Sequence, residues 1–250
     1  MSVEEAVNLI RGERGTKVTL TIIRNGAKDP RKIDITRDRI IVKSVRSEVK
    51  KTKNGAAAAY IQIRQFNDET VPLFRRAASE LLSQSPKGFI IDLRNNPGGY
   101  LDAAVDVAGE FMTGVVVYEK KYDGSETAVE ANGKPMLKDV PTIVLVNQGS
   151  ASGSEILAGA LQDHGAAKLV GKKTFGKGSV QDYQELQNGG ALKLTVAELL
   201  TPKKRSINNE GVTPDYEVDL SEEDANADKD PQLDKALELL EGTGVAADSN

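Results

Sequence analysis

The run Gln148-Gly149-Ser150-Ala151-Ser152-Gly153-Ser154 offers three hydroxyls among small residues, between an apolar stretch and a helix-like one. A serine on a tight strand-to-helix turn presents its hydroxyl to solvent, and the first helical N–H groups point toward any oxyanion forming there. The same residues could instead serve only as helix caps, a common use of serine. A serine nucleophile needs a base, and the usual imidazole has one source, His164. It lies at the far end of the same helix, about 15 Å along the axis from the turn, which leaves it a polar helix-end residue. Cysteine is absent, so thiolate chemistry and disulfides are excluded. Lysine remains. Of Lys172, Lys173 and Lys177 in GKKTFGKGSVQ, only Lys177 is enclosed by glycines and followed by an apolar, strand-like run. To act as a base near neutrality a lysine pKa must fall from about 10.4 toward 7 or 8, at a cost of about 4 kcal/mol. That requires burial away from carboxylates; the alternative for Lys177 is a solvated loop lysine.

These residues must be positioned by a scaffold, and the pattern supplies two copies of one unit. GFIIDLR (88–94) is a short apolar run, NNPGG a sharp turn and LDAAVDVAGEFM a helix. TIVLVN (142–147), QGSASG and SEILAGALQDHG repeat the plan. Buried strands alternating with helices predict an α/β core with partly parallel strands, whose ligands sit at the carboxyl ends of strands. Both small-residue turns occupy that end. A helix is expected from about Asp68 to Ser83, and strand-like runs at Ile40–Val49, Ala57–Ile63, Val180–Leu186 and Ala191–Leu199, with a turn at 187–190. Toward the C-terminus, SEEDANADKD reads as a solvated acidic linker, PQLDKALELLE as a closing helix with Pro231 near its start, and GTGVAADSN as a disordered tail.

At the other end, Ser2 and Glu5 form a capping-box pattern opening a helix with Val3, Ala6, Val7 and Ile10 on one face. Residues 17–37 read as two strands joined by turn chemistry at Asn25-Gly26. One helix and two strands cannot close a core, so this piece reads as the rear of a small domain whose front lies upstream of Met1.

The 250 residues are 39% hydrophobic and 28% charged with net charge −4, leaving no basic excess with which to neutralise phosphates; nucleic acid is not an expected partner. No apolar run approaches the length of a membrane span, and the N-terminus is unlike a signal peptide.

The segments GFIIDLRNNPGGYLDAAVDVA, VNQGSASGSEILAGALQD, GKKTFGKGSVQ and GVTPDYEV, in that order across about residues 57–220, resemble the carboxyl-terminal processing (tail-specific) proteases. MSVEEAVNLIRGERGTKVTLTIIRNG resembles the last helix and strands of that family's PDZ domain. The resemblance implies a crotonase/ClpP-like α/β core carrying a truncated PDZ remnant: residues 1–38 the rear half of the PDZ domain, 39–220 the protease core, and 221–250 an acidic linker, short helix and tail.

It further implies Ser152 as nucleophile, Lys177 as general base at a spacing of 25, and Gln181 orienting the amine. The oxyanion hole falls to the N–H groups of Gly98 and Gly153, the latter standing where the family more often has alanine. The activity implied is serine endopeptidase cleavage of protein substrates near their C-termini, with no cofactor or metal. The partners implied are polypeptides with accessible tails, with room for a homo-oligomer and an upstream membrane anchor, outside the cytoplasm. The tail-capturing loop would precede Met1, so cleavage by this piece alone is expected to be impaired. The rival from another class is a non-catalytic binding protein on the same fold, marked by loss of the serine or lysine; both are present. A PDZ scaffold is disfavoured because most of the chain lies outside the PDZ-like piece.

Overall fold

The computed structural model describes residues 3–23, 29–38, 43–186 and 190–242. The chain divides into two compact units, residues 1–43 and 44–250.

In the first, α1 (Val3–Ile10) is followed by strands β1 (Lys17–Ile22) and β2 (Arg31–Thr36), antiparallel from Lys17↔Thr36 to Ile22↔Arg31. The carbonyls that end α1 have no partner within the helix. Arg37 supplies one, donating from Nε to Ile10 O (2.8 Å) and from Nη2 to Leu9 O (3.2 Å). Val7, Leu9, Ile10, Ile33 and Ile35 remain exposed, as two strands and one helix require. The expected Ser2 cap and Asn25-Gly26 turn lie outside the described residues.

The second unit is a mixed α/β fold built on two sheets. Its first eight elements are β3 (Val45–Lys51), β4 (Ala57–Ile63), α2 (Thr70–Leu82), β5 (Phe89–Asp92), α3 (Leu101–Ala108), β6 (Gly114–Lys121), β7 (Glu126–Ala131) and β8 (Thr142–Val146). Then follow α4 (Gly153–Asp163), β9 (Lys168–Gly171), β10 (Ser179–Glu185), β11 (Ala191–Leu200), β12 (Tyr216–Glu217), α5 (Glu222–Asn226) and α6 (Pro231–Glu241).

The six-stranded sheet runs β12-β9-β8-β5-β4-β3, with only β3 antiparallel to its neighbour. Its central strands β5 and β8 are buried along their whole length, which is why FIID and TIVLV read as continuous apolar runs without alternation. The two faces separate even so. Phe89 and Ile91 pack with α2, α3 and α4 residues such as Phe74, Val107 and Leu157, while Ile90 packs against Ala236 and Leu240 of α6.

The second sheet, β10-β11-β6-β7, is antiparallel throughout. Its β6–β7 hairpin was not expected from the sequence. Residues 39–42 and 187–189 lie outside the described residues, so the expected strand beginning at Ile40 is seen from Val45. The acidic stretch expected as a linker contains the short α5. The proposed disordered tail after Gly242 lies outside the described residues. Among those described, no helix is long and apolar enough to cross a membrane.

Candidate active site

Ser152 is the residue before α4, at φ 53° and ψ −115°. A non-glycine side chain at positive φ is strained, and such strain persists only where the surroundings over-determine it. Here they do. Ser150 Oγ donates to Leu93 O (2.8 Å), Ala151 N–H to Asn96 O (3.0 Å), and Ser154 Oγ to the same Asn96 O (3.0 Å). The serine turn after β8 is thus bolted onto the asparagine–glycine turn after β5, at the carboxyl ends of adjacent parallel strands.

Asn96 does for the second turn what those serines do for the first. It is fully buried; its Nδ2 donates to Ile63 O (2.8 Å) and its Oδ1 accepts from Gly98 N–H (2.8 Å). Beside it, Asn95 and Asn147 exchange side chain and backbone bonds, Asn95 N–H to Asn147 Oδ1 (2.9 Å) and Asn147 Nδ2 to Asn95 Oδ1 (3.0 Å). Gly98 must be glycine: at φ 98°, a Cβ there would lie 2.7 Å from Ser152 Cβ and 2.8 Å from Gly153 N. The two expected oxyanion donors are therefore next to one another and to Ser152. The N–H of Gly153, first residue of α4, makes no hydrogen bond among the described residues. That of Gly98 is engaged by Asn96.

Glu155, one turn into α4, holds the site together and went unremarked in the sequence. It is completely buried. Its Oε2 accepts from Ser152 N–H (2.9 Å) and Lys177 N–H (2.8 Å); its Oε1 accepts from Thr174 Oγ1 (2.6 Å) and Gly176 N–H (2.6 Å). Two oxygens offer about four acceptor directions, and four donors fill them. The backbones of Ser152 and Lys177 thereby meet at one oxygen atom although 25 residues separate them. The spacing Ser152-x-x-Glu155 is the capping-box signature and was the available signal.

The segment Gly211–Asp215 buttresses the lysine loop. Val212 N–H donates to Thr174 Oγ1 (2.7 Å) and Thr174 N–H to Val212 O (3.1 Å), while Asp215 Oδ2 accepts from Leu169 N–H (2.8 Å). Gly178 leaves no room for a Cβ, which would stand 2.2 Å from Asn208 N.

The side chains of the lysine loop are not where enclosure would put them. Lys177 is exposed, and its amine makes no hydrogen bond or ion pair among the described residues. This corrects the expectation of an amine walled off from water. The cause is local: both flanking glycines are buried and tied to the core, so the backbone is fixed while the side chain projects outward. Gln181, on β10, is also exposed and donates to Thr195 Oγ1 (2.6 Å) and Ser179 Oγ (3.2 Å) rather than to Lys177. His164 caps the far end of α4, with Nε2 2.7 Å from Val115 O.

A partly buried ionic group adjoins the asparagine–glycine turn in sequence. Arg94, two residues past the end of β5, donates from Nη2 to Asp92 Oδ2 (2.7 Å) and from Nη1 to Asp230 Oδ1 (2.8 Å), and Tyr60 Oη donates to Asp92 Oδ2 (2.6 Å). Burial, and then the Asp92 charge, push the Tyr60 phenol well above its usual value. Burial acts to lower the Arg94 pKa and to raise that of Asp230, but the hydrogen bonds to Asp92 and then Asp230 raise Arg94 on balance, and the hydrogen bond from Arg94 lowers Asp230. Asp230 also caps α6 by accepting from Leu233 N–H (3.0 Å). Asp92 is thus taken up by Tyr60 and Arg94.

With this geometry in hand, comparison with known proteins is informative. The model of peptidase family S41 matches residues 57–218. A carboxyl-terminal-processing protease of Synechocystis is 40% identical over 98% of this chain and 58% of its own length. A carboxy-terminal processing protease of Bacillus subtilis is 38% identical over 88% of this chain and 46% of its own. The chain therefore spans about half the length of these relatives. Among solved structures, a photosystem II D1 C-terminal processing protease superposes with a TM-score of 0.71 at 33% identity, covering 88% of this chain and 60% of that one.

Proposed function

The chain belongs to peptidase family S41, and from that premise we propose that it is a serine endopeptidase cutting polypeptides near their C-termini, with Ser152 as nucleophile and Lys177 as general base. The observation that carries the reading is the shared Glu155 Oε2, which brings the backbones of these two residues to one atom. A lysine side chain is long enough to turn from solvent back over Ser152 from that anchor.

In the proposed reaction the Lys177 amine, unprotonated, takes the Ser152 hydroxyl proton as Oγ attacks the scissile carbonyl. The tetrahedral oxyanion is held by the N–H groups of Gly153 and Gly98, and each such donor is worth about 10²–10³ in rate. The Gly98 N–H is then shared with, or released from, Asn96 Oδ1. Lys177 returns the proton to the leaving amine, leaving an acyl-enzyme that water hydrolyses by the same route. Gln181 turns from Thr195 to orient the amine. Because Lys177 is exposed at rest, the substrate chain itself supplies the desolvation that favours the neutral amine. The Glu155 charge works against this, but its acceptor directions are filled by other donors, so it offers the amine no hydrogen bond.

We assign the core a crotonase/ClpP-like architecture and residues 1–38 to the rear of a PDZ domain. The exposed Val7, Leu9, Ile10, Ile33 and Ile35 support the latter, as an apolar face that further residues would cover. Such a domain recognises C-terminal tails by strand addition, and an extracytoplasmic location accompanies this reading. The test is cleavage of unfolded casein and of tailed model proteins by the parent, Ser152→Ala and Lys177→Ala, with a chelator control, alongside mass-spectrometric detection of a sulfonyl fluoride adduct. We expect an adduct on Ser152, loss of cleavage in both variants and indifference to chelator. Cleavage by Ser152→Ala at the parent rate ends the proposal.

A further inference from the structure

The next inference rests on the peptidase reading and concerns what that site selects. Four of the five phenylalanines, Phe66, Phe74, Phe89 and Phe111, are at most 3% exposed; Phe175 is 67% exposed. Tyr100 is 57% exposed. Both rings stand on backbone that is fixed beside Ser152. Phe175 N–H donates to Ser150 O (3.0 Å), and its neighbours Thr174 and Gly176 are both bonded to Glu155. Tyr100 N–H donates to Phe66 O (3.0 Å), and Gly99 before it is pressed so closely on Phe66 that a Cβ would lie 1.9 Å from Phe66 O. Phe66 in turn accepts the site: its N–H donates to Gly98 O (2.8 Å), and its ring edge lies 3.1 Å from where a Gly153 Cβ would be.

One exposed ring therefore stands on the asparagine–glycine turn and the other on the lysine loop, the two segments that flank the nucleophile. An aromatic ring carries a large apolar area with few rotatable bonds, so a ring left in water on a rigid mount can bind an apolar side chain at small entropic cost. We propose that Tyr100 and Phe175 are specificity-determining residues. Each packs against a substrate side chain beside the scissile bond, and the preferred substrates are extended chains with a bulky apolar residue (Leu, Ile, Met, Phe or Tyr) adjoining the cleaved peptide bond. A third aromatic exposed among the described residues, Tyr122 at 78%, sits in the β6–β7 turn, which carries none of the site residues, and provides a control.

The experiment is digestion of unfolded casein by the parent, Ser152→Ala, Tyr100→Ala, Phe175→Ala, Phe175→Leu and Tyr122→Ala, with every cut bond mapped and its rate followed by mass spectrometry. Bonds cut by the parent should be enriched in large apolar residues at one or both adjoining positions. Tyr100→Ala and Phe175→Ala should each slow those cuts about tenfold while sparing cuts between small residues, the discrimination an apolar subsite supplies. Phe175→Leu should keep the parent profile, as should Tyr122→Ala. An unchanged profile in both alanine variants, or an equal loss at every bond, overturns the proposal; a shift in only one removes the other residue from it. An inactive parent, or a Ser152→Ala variant as active as the parent, overturns the peptidase reading instead, and this inference with it.

Discussion

Replacing Glu155 by glutamine changes no shape and removes one acceptor, so its cost can be worked from the four bonds at that carboxylate. With the new amide in place of Oε2 it confronts two backbone N–H groups, of Ser152 and Lys177, neither of which can turn away. In place of Oε1 it meets the Thr174 hydroxyl, which can rotate to accept, and the Gly176 N–H, which cannot. The second arrangement is the better one. It leaves one buried donor unpaired, at about 1–3 kcal/mol, and turns the remaining bonds from charge-assisted to neutral, losing about 1 kcal/mol each. The expected destabilisation is about 4–6 kcal/mol, which a domain with roughly 5–15 kcal/mol of stability survives at low temperature when it lies above the bottom of that range. Loosening the lysine loop by about 1 Å should also lower kcat about 10²-fold. Urea unfolding gives the first quantity, and peptide cleavage at a temperature where the variant is fully folded gives the second. A stability loss below about 1 kcal/mol together with kcat within about threefold of the parent would refute the idea that this carboxylate unites the two loops.

Gly98→Ala should abolish cleavage and destabilise by more than about 2 kcal/mol, because its Cβ falls within 2.8 Å of Ala151 O, Ser152 Cβ and Gly153 N; activity assay and thermal melting read both. Gly153→Ala should stay within about 1 kcal/mol of the parent, since the helix gain of alanine is set against a 3.1 Å contact that the Phe66 ring can relieve by a small shift. The folded-state pKa of Asp230 lies below its unfolded value, so its contribution is complete above the unfolded pKa near 3.9 and is lost as pH falls through the folded one. Asp230→Asn should therefore lower stability near neutrality and flatten its decline below about pH 4, as read by denaturant titrations across pH.

The scaffold was legible where local pattern and burial agree. β5 and β8 are apolar on both faces because helices cover both, and the small-residue turns after them mark the carboxyl ends of parallel strands. The β6–β7 hairpin is marked in the sequence only by Asp123-Gly124, since neither of its strands alternates cleanly between buried and exposed positions. In the site, glycines showed where segments approach closely, but not what joins them. The role of Glu155 is not legible locally, since three of its four partners lie about 20 residues downstream and only the Ser152 cap is near in sequence. For Lys177 the sequence leaves both a buried amine and a solvated loop lysine open, because glycine neighbours report the burial of backbone rather than the direction of the side chain. Arg94 ends the apolar run GFIIDLR, and the sequence does not link it to its second partner: Asp230 lies 136 positions away and no periodicity connects them.

That last pair bears on the order in which the molecule can be finished. A ribosome releases Arg94 long before Asp230, and until the helix beginning at Pro231 has emerged, the Arg94 guanidinium has one carboxylate where the folded chain gives it two. Since the apolar back of β5 and β8 is also roofed by Ala236 and Leu240, the nascent chain lacks both the cover and the counter-charge at this end of the sheet. Competence of the proposed site would then wait for residues 230–241, although positions 98, 152, 153 and 177 have all been synthesised before them.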